Sequence, residues 1–335
     1  MTFSLSTLQV WVVVLSVALT FSASSAVGFD SQGHRGARGL MPENTLPGFS
    51  AALGIGVDTL EMDVGLTVDN HVVLSHNPRL EPEIVRNANG QWLVESSAPI
   101  STMNLKTLKT YDVGRINPDS RYAERFGTQQ SVDGTQSPTL ADVFELVRRS
   151  GNSSVRFNIE LKINPNHPEE TFLPPAFVSA VLSEIKNHKV EERVIIQSFD
   201  WRVLQETQSQ MPKIKTAYLT ASQKWLNNLQ IGEPGKSAWL AGIDIDEFEG
   251  SAPRATKAVG GDIWSPYHKE VSSENIQLAQ QLGLSVIVWT VNDMPRMREL
   301  IKMGVDGIIS DYPDRLRSVM DELDMPLPIS TAIAQ

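Results

Sequence analysis

No cysteine occurs among the 335 residues, so disulfides, zinc–thiolate sites, iron–sulfur clusters and cysteine nucleophiles are all excluded. Compartment stays open on that ground, because an oxidising environment permits disulfides without requiring them. An excess of basic residues is also missing: 29 Lys and Arg stand against 39 Asp and Glu, a net charge of −10 with histidine neutral. That balance argues against a nucleic-acid partner, which needs a basic face to displace counterions. An anionic substrate would have to be met by a local exception to the overall charge. Long apolar runs are missing too. The longest, Val10 to Phe21, falls short of the roughly 18 residues of a membrane span. What remains is an ordinary globular composition, 41% hydrophobic and 20% charged.

Nothing before Asp30 is charged, and small residues from Ser22 to Ala26 follow the apolar run. Residues 1–26 therefore read as a secretory signal ending in a small-x-small cleavage site, which implies export, into a periplasm, and no stable membrane span after removal. The signal lacks a basic n-region, so an uncleaved anchor is the alternative. No cysteine follows to take a lipid.

Beyond this point short β-rich runs alternate with amphipathic stretches. Strands are expected at Phe29–His34, Thr59–Leu66, Val72–Ser75, Arg156–Lys162, Val194–Ser198, Thr216–Leu219, Gly242–Asp246, Ser285–Thr290 and Gly307–Ser310. Helices are expected at Thr45–Leu53, Leu140–Arg149, Phe177–His188, Val203–Gln210, Asn275–Leu282 and Pro295–Met303. Such alternation predicts a parallel sheet flanked by helices, either doubly wound or closed into a (β/α)8 barrel. The sixth strand could be Gly242–Asp246 or Asp262–Trp264. One segment, Pro78 to Ser137, breaks the rhythm with scattered prolines and glycines and no core-quality helix. Its length suits a subdomain inserted after the second strand and capping a site. Setting aside residues 1–26 and 78–137 leaves about 250 residues, the usual size of a TIM barrel.

Three places carry chemistry, each at the end of an expected strand. The turn Gly33-His34-Arg35-Gly36-Ala37-Arg38-Gly39 spaces its glycines G-x-x-G-x-x-G, which is not the dinucleotide fingerprint. Its backbone can approach an anion closely, and Arg35 and Arg38 add positive charge there. In Leu60-Glu61-Met62-Asp63-Val64, strand alternation puts Glu61 and Asp63 on one face and the apolar residues on the other. Two inward carboxylates repel each other unless a cation or a shared proton intervenes. Such a pair also occurs on solvated sheet edges, but the apolar flanks favour a buried strand. In Val155 to Lys162 the same alternation groups Asn158, Glu160 and Lys162. Glu160 would complete a set of three oxygen ligands suited to Mg2+ or Ca2+. The alternative there is a buried Glu160–Lys162 ion pair. His34 and His76 each end an expected strand near this place, and their near-neutral pKa suits proton transfer. His71, His167, His188 and His268 read as structural or surface residues.

Taken together these motifs resemble the glycerophosphodiester phosphodiesterase family. The resemblance rests on His34-Arg35-Gly36, Pro42-Glu43-Asn44-Thr45, Glu61-Met62-Asp63, His76, Glu160-Leu161-Lys162, Gln197-Ser198-Phe199, Trp289-Thr290-Val291-Asn292 and Asp306 to Asp311. It covers about Gly33 to Pro313. It implies a TIM barrel with an inserted subdomain after the second strand, and a site at the C-terminal strand ends. It further implies Glu61, Asp63 and Glu160 as ligands of one divalent cation, Mg2+ or Ca2+, with His34 and His76 as the acid–base pair. Arg35 and Lys162 would contact phosphate, Gln197 the substrate, and Phe199 and Trp289 would wall the glycerol or its leaving group. The implied reaction splits a glycerophosphodiester into sn-glycerol 3-phosphate and an alcohol. One departure is Asn77, where the family commonly has aspartate after the second histidine. Two other readings are a phospholipase C- or D-like enzyme acting on larger lipids and a non-catalytic envelope binding protein. The intact histidines and carboxylates argue against the latter.

Overall fold

The computed structural model describes residues 28–331; the expected signal segment lies outside them. In chain order the elements are β1 (Asp30–Gly33), α1 (Leu46–Ile55), β2 (Thr59–Leu66), β3 (Val72–Leu74), α2 (Leu105–Leu108), α3 (Arg121–Arg125), α4 (Leu140–Ser150), β4 (Arg156–Leu161), α5 (Pro174–His188), β5 (Val194–Ser198) and α6 (Trp201–Gln210). There follow β6 (Lys215–Thr220), the short hairpin β7 (Ser222–Gln223) and β8 (Leu226–Asn227), α7 (Ala252–Ala258), β9 (Ile263–Pro266), α8 (Ser273–Gln281), β10 (Ser285–Val288), α9 (Met294–Met303), β11 (Gly307–Ser310) and α10 (Pro313–Glu322).

Eight strands, β1, β2, β4, β5, β6, β9, β10 and β11, pair in parallel in that order, and β1 pairs with both β2 and β11. The sheet closes, giving the (β/α)8 barrel. The open question of the sixth strand is settled by Ile263–Pro266, while Asp244 caps a single 3-10 turn, Ile245–Phe248. That alternative failed because Gly242 is left-handed and Asp244 turns back to cap Asp246, so the run cannot extend. Val72–Leu74 is a strand, but an antiparallel one that folds back on β2 and adds nothing to the barrel.

Each strand turns one row of side chains outward and one inward. Leu60, Met62, Phe157, Ile159, Ile196, Val286 and Ile308 are fully or almost fully buried against the helices. The inward row is divided. Ile195, Ala217, Ile263, Ile287 and Ile309 fill one side of the barrel, while Gln32 and Asn158 occupy the other. Asn158 Nδ2 donates to Gln32 Oε1 and Gln197 Oε1, both at 2.9 Å, so the polar side has its own network. Helix starts follow the hydroxyl residues. Thr139 and Ser272 each form a capping box, worth about 1 kcal/mol apiece.

The segment 78–137 folds as a small cap. Leu80, Val85, Ile100, Met103 and Leu108 make an apolar cluster with Val73 that is separate from the barrel core. Its far end rests on the loop after β1, where Gln129 Nε2 donates to Arg38 O (2.7 Å) and Gln130 N to Leu40 O (2.8 Å). The guanidinium of Arg38 stacks 4.7 Å from the Phe126 ring. No helix among the described residues is long and apolar enough to cross a membrane.

Candidate active site

Parallel pairing of β2 with β4 sets Asp63 beside Glu160 and Glu61 beside Asn158. One oxygen from each of Glu61, Asp63 and Glu160 lies within 4.8 Å of the others, and all three residues are buried. The glycine-rich turn wraps round this cluster. Arg35 and Gly36 both take left-handed backbone, and a Cβ at Gly36 would stand 2.7 Å from the backbone of Gly48. Only glycine fits there. The turn's backbone does approach an anion closely: Arg35 N donates to Glu61 Oε2 at 2.8 Å.

Burial, and then repulsion from Asp63 and Glu160, pushes the Glu61 carboxyl well above its usual range. Burial pushes Glu160 up to about 7, with Asp63 adding to it against Lys162. Asp63 goes the other way: despite burial, Arg35, His76 and Lys162 hold it strongly ionised. Its Oδ1 is nonetheless buried with no hydrogen-bond partner, and Lys162 Nζ stands 3.7 Å from it. Three converging oxygen donors, mutual repulsion and an orphaned carboxylate oxygen fit a hard divalent cation. The donor set does not separate Mg2+ from Ca2+.

The two histidines flank the cluster with opposite supports. His34 Nδ1 lies 2.6 Å from Asp311 Oδ1, and its Nε2 points inward, 3.8 Å from Glu61 Oε2. His76 Nδ1 lies 2.5 Å from Asn77 Oδ1, and its Nε2 lies 3.0 Å from Lys162 Nζ. A carboxamide oxygen only accepts, so Nδ1 of His76 carries the proton and Nε2 accepts from the ammonium. Asn77 thus orients His76 without a carboxylate. Burial, followed by Arg38, lowers His34 to about 4 against the pull of Asp311. Burial, then Arg35 and Lys162, hold His76 well below its ordinary value too. Both imidazoles are neutral at neutral pH.

All ten expected site residues are drawn into one region. His34, Arg35, Glu61, His76, Glu160, Lys162, Gln197, Phe199 and Trp289 line a cavity of about 1060 Å3, and Asp63 lies behind them. Gln197 is bonded to its neighbours. Its Nε2 donates to Glu61 Oε1 (2.8 Å) while its oxygen accepts from Asn158, so it braces the carboxylate from below. Arg35 pairs with Glu43 (2.7 Å) and Asp63 (3.2 Å). Asn44 Nδ2 donates to Asp63 Oδ2 at 2.9 Å.

Sequence reasoning gave no role to Asp311, Glu43, Asn44, Tyr122, Trp225 or Tyr267. For Asp311 a signal existed, since it directly follows the last barrel strand. For Tyr122 there was none, because the cap's fold was not readable. Tyr122 OH bonds Glu43 Oε2, and Glu43 in turn holds Arg35. The Tyr122→Phe variant is expected to lose about 1–3 kcal/mol of stability and to raise KM several-fold with kcat little changed. Denaturation and steady-state kinetics check this; an unaltered KM would mean the cap does not hold substrate.

A parallel barrel with buried acid residues, two supported imidazoles and basic side chains at its C-terminal mouth defines a phosphoryl-transferring TIM-barrel hydrolase. The sequence pattern of the Glycerophosphoryl diester phosphodiesterase family matches residues 34–315. The chain belongs to that family and is a phosphoric diester hydrolase. A glycerophosphodiester phosphodiesterase of Caldanaerobacter subterraneus is 29% identical over 285 residues, covering 84% of this chain and 94% of the relative. One of Bacillus altitudinis is 28% identical over 290 residues, covering 87% and 97%. A crystal structure from Silicibacter pomeroyi, provisionally named a glycerophosphoryl diester phosphodiesterase, superimposes with a TM-score of 0.78 at 33% identity, covering 89% of this chain and 95% of that one.

Proposed function

We propose that this protein hydrolyses glycerophosphodiesters to sn-glycerol 3-phosphate and an alcohol, with a divalent cation held by Glu61, Asp63 and Glu160. The observation that carries the reading is the buried three-carboxylate cluster with its unpartnered Asp63 oxygen, set between basic side chains and two neutral histidines. A relative from Oleispira antarctica, 22% identical with a TM-score of 0.62, has been solved in complex with the product sn-glycerol-3-phosphate.

When bound, the cation supplies charge neutralisation for the phosphodiester. The chain's own groups do the rest. Lys162 and Arg35, both in the lining of the cavity, present positive charge to the phosphate oxygens. His34, neutral and backed by Asp311, takes the proton from the attacking hydroxyl, because the carboxylate stabilises the imidazolium that forms. His76 Nε2 accepts from the Lys162 ammonium at 3.0 Å, takes that proton and hands it to the departing alcohol, while the proton held by His34 returns through solvent to the lysine. The attacking hydroxyl is that of water, which gives glycerol 3-phosphate directly, or that of the neighbouring glycerol, which gives a cyclic phosphate that water then opens.

The test is release of glycerol 3-phosphate from glycerophosphocholine and glycerophosphoethanolamine, with and without chelator. Release that stops on chelation and returns with Mg2+ or Ca2+ is expected. No chelator-sensitive release from any glycerophosphodiester would sink the reading.

A further inference from the structure

The aromatic lining of the cavity does not end at Phe199 and Trp289. Trp289 meets Phe199 edge to face, with centroids 5.3 Å apart, and on its other side meets Tyr267 at 5.5 Å and Trp225 at 6.1 Å. Trp225 stands perpendicular to Tyr267 at 5.5 Å. All four line the same cavity as the carboxylate cluster. Lys162 Nζ lies 5.9 Å from the Phe199 centroid, which marks the inner end of this wall beside the phosphate contacts. From there the wall runs outward to Trp225, on the turn between β7 and β8, which is 59% exposed.

That hairpin is held in place. Ser222 N (2.9 Å) and Gln223 Nε2 (2.5 Å) donate to the same oxygen of Glu270, and Asn228 bonds Ala221 N and Leu219 O across its base. With Tyr267 and Trp289 the half-exposed Trp225 indole extends one contiguous aromatic patch to the cavity mouth, a surface of the kind that binds ligands. The inner half of the wall offers few free hydrogen-bonding groups. Trp289 Nε1 is spent on Ser265 O at 2.9 Å, and Phe199 has none to offer. A quaternary ammonium has no N–H to satisfy, and its diffuse positive charge is attracted by indole and phenol faces.

We propose that Trp225, Tyr267 and Trp289 form a leaving-group subsite for a quaternary ammonium alcohol, so that choline-bearing glycerophosphodiesters are favoured. This rests on the reaction proposed above. The experiment compares purified wild type and Trp225→Ala on glycerophosphocholine, glycerophosphoglycerol and the neutral 3,3-dimethylbutanol isostere of the choline diester. Choline binding, read by tryptophan fluorescence, is followed in parallel because it needs no turnover.

Trp225→Ala is expected to raise KM for glycerophosphocholine about tenfold, with kcat and the glycerophosphoglycerol kinetics unchanged. Trp225→Phe should recover most of the loss, and wild type should bind the charged diester several-fold better than its isostere. Equal changes on both natural diesters, or no preference for the charged form, overturn the subsite. Diesters hydrolysed while choline leaves the fluorescence unmoved also overturn it, with the reaction intact. Choline bound through Trp225 while no diester is hydrolysed supports the subsite and removes the reaction instead.

Discussion

Glu160→Gln is expected to lower kcat by about three orders of magnitude while the barrel stays folded. The substitution keeps the volume of the side chain and an oxygen that can still accept from Lys162 Nζ, now 2.9 Å from Glu160. It removes one of three anionic oxygens and leaves Glu61 and Asp63 to hold a cation alone. Stability should move the other way. In the cation-free protein Glu160 is raised to about 7, so the folded state binds more protons than the unfolded one across pH 4.5 to 7. Stability therefore falls as pH rises through that window, and the variant should lose part of that slope. With chelator present at pH 8, Glu160→Gln should melt no lower than wild type. With Mg2+ or Ca2+ added, wild type should gain melting temperature and the variant should gain little. Thermal denaturation with and without cation checks both. A variant that binds cation and turns over like wild type would remove Glu160 from the site.

Much of the fold was legible because barrel strands announce themselves by burial on both faces. Thr59–Leu66 and Val194–Ser198 have the bounds read from the sequence. Misreadings came where short apolar runs had a different fate. Val72 to Leu74 is as apolar as a barrel strand, yet the turn at Asp69 and Asn70 is too short for a crossover and sends it back antiparallel. Gly242 to Asp246 is a capped turn for the local reason given above. The cap was legible only as an absence of rhythm. Its core rests on scattered contacts such as Val85 with Ile100 and Leu108, which have no sequence period.

The candidate site was legible where alternation along one strand fixes which side chains share a face, as for Glu61 with Asp63 and Asn158 with Glu160. It was less so where partners come from distant strand ends. Asp311 reaches His34 across the closure of the barrel, a neighbour 277 positions away that no periodicity relates. Gln197 stands at the expected strand end and lines the cavity, where its amide also bonds Glu61 and Asn158.

Asp311→Asn carries the second large effect, because one buried carboxylate holds three elements together. It accepts from His34 Nδ1, from Arg38 Nε (2.7 Å) and Nη2 (3.0 Å), and from Asn292 Nδ2 (2.7 Å). Despite burial, Arg38 and then His34 hold it strongly ionised. A carboxamide cannot meet all these donors and leaves the buried Arg38 guanidinium without its counter-charge. Breaking a buried pair on one side costs about 3–5 kcal/mol, or roughly 10 °C in Tm for a domain of this size. The rate should fall by about 10²–10⁴ as His34 loses the group that fixes its tautomer and stabilises its charged form. Combining Asp311→Asn with Arg38→Met separates the two roles. The double variant removes the stranded charge and should recover much of the melting temperature, but none of the rate, since His34 still lacks its carboxylate. Recovery of kcat along with stability would mean that Asp311 only supports Arg38 and takes no part in positioning His34.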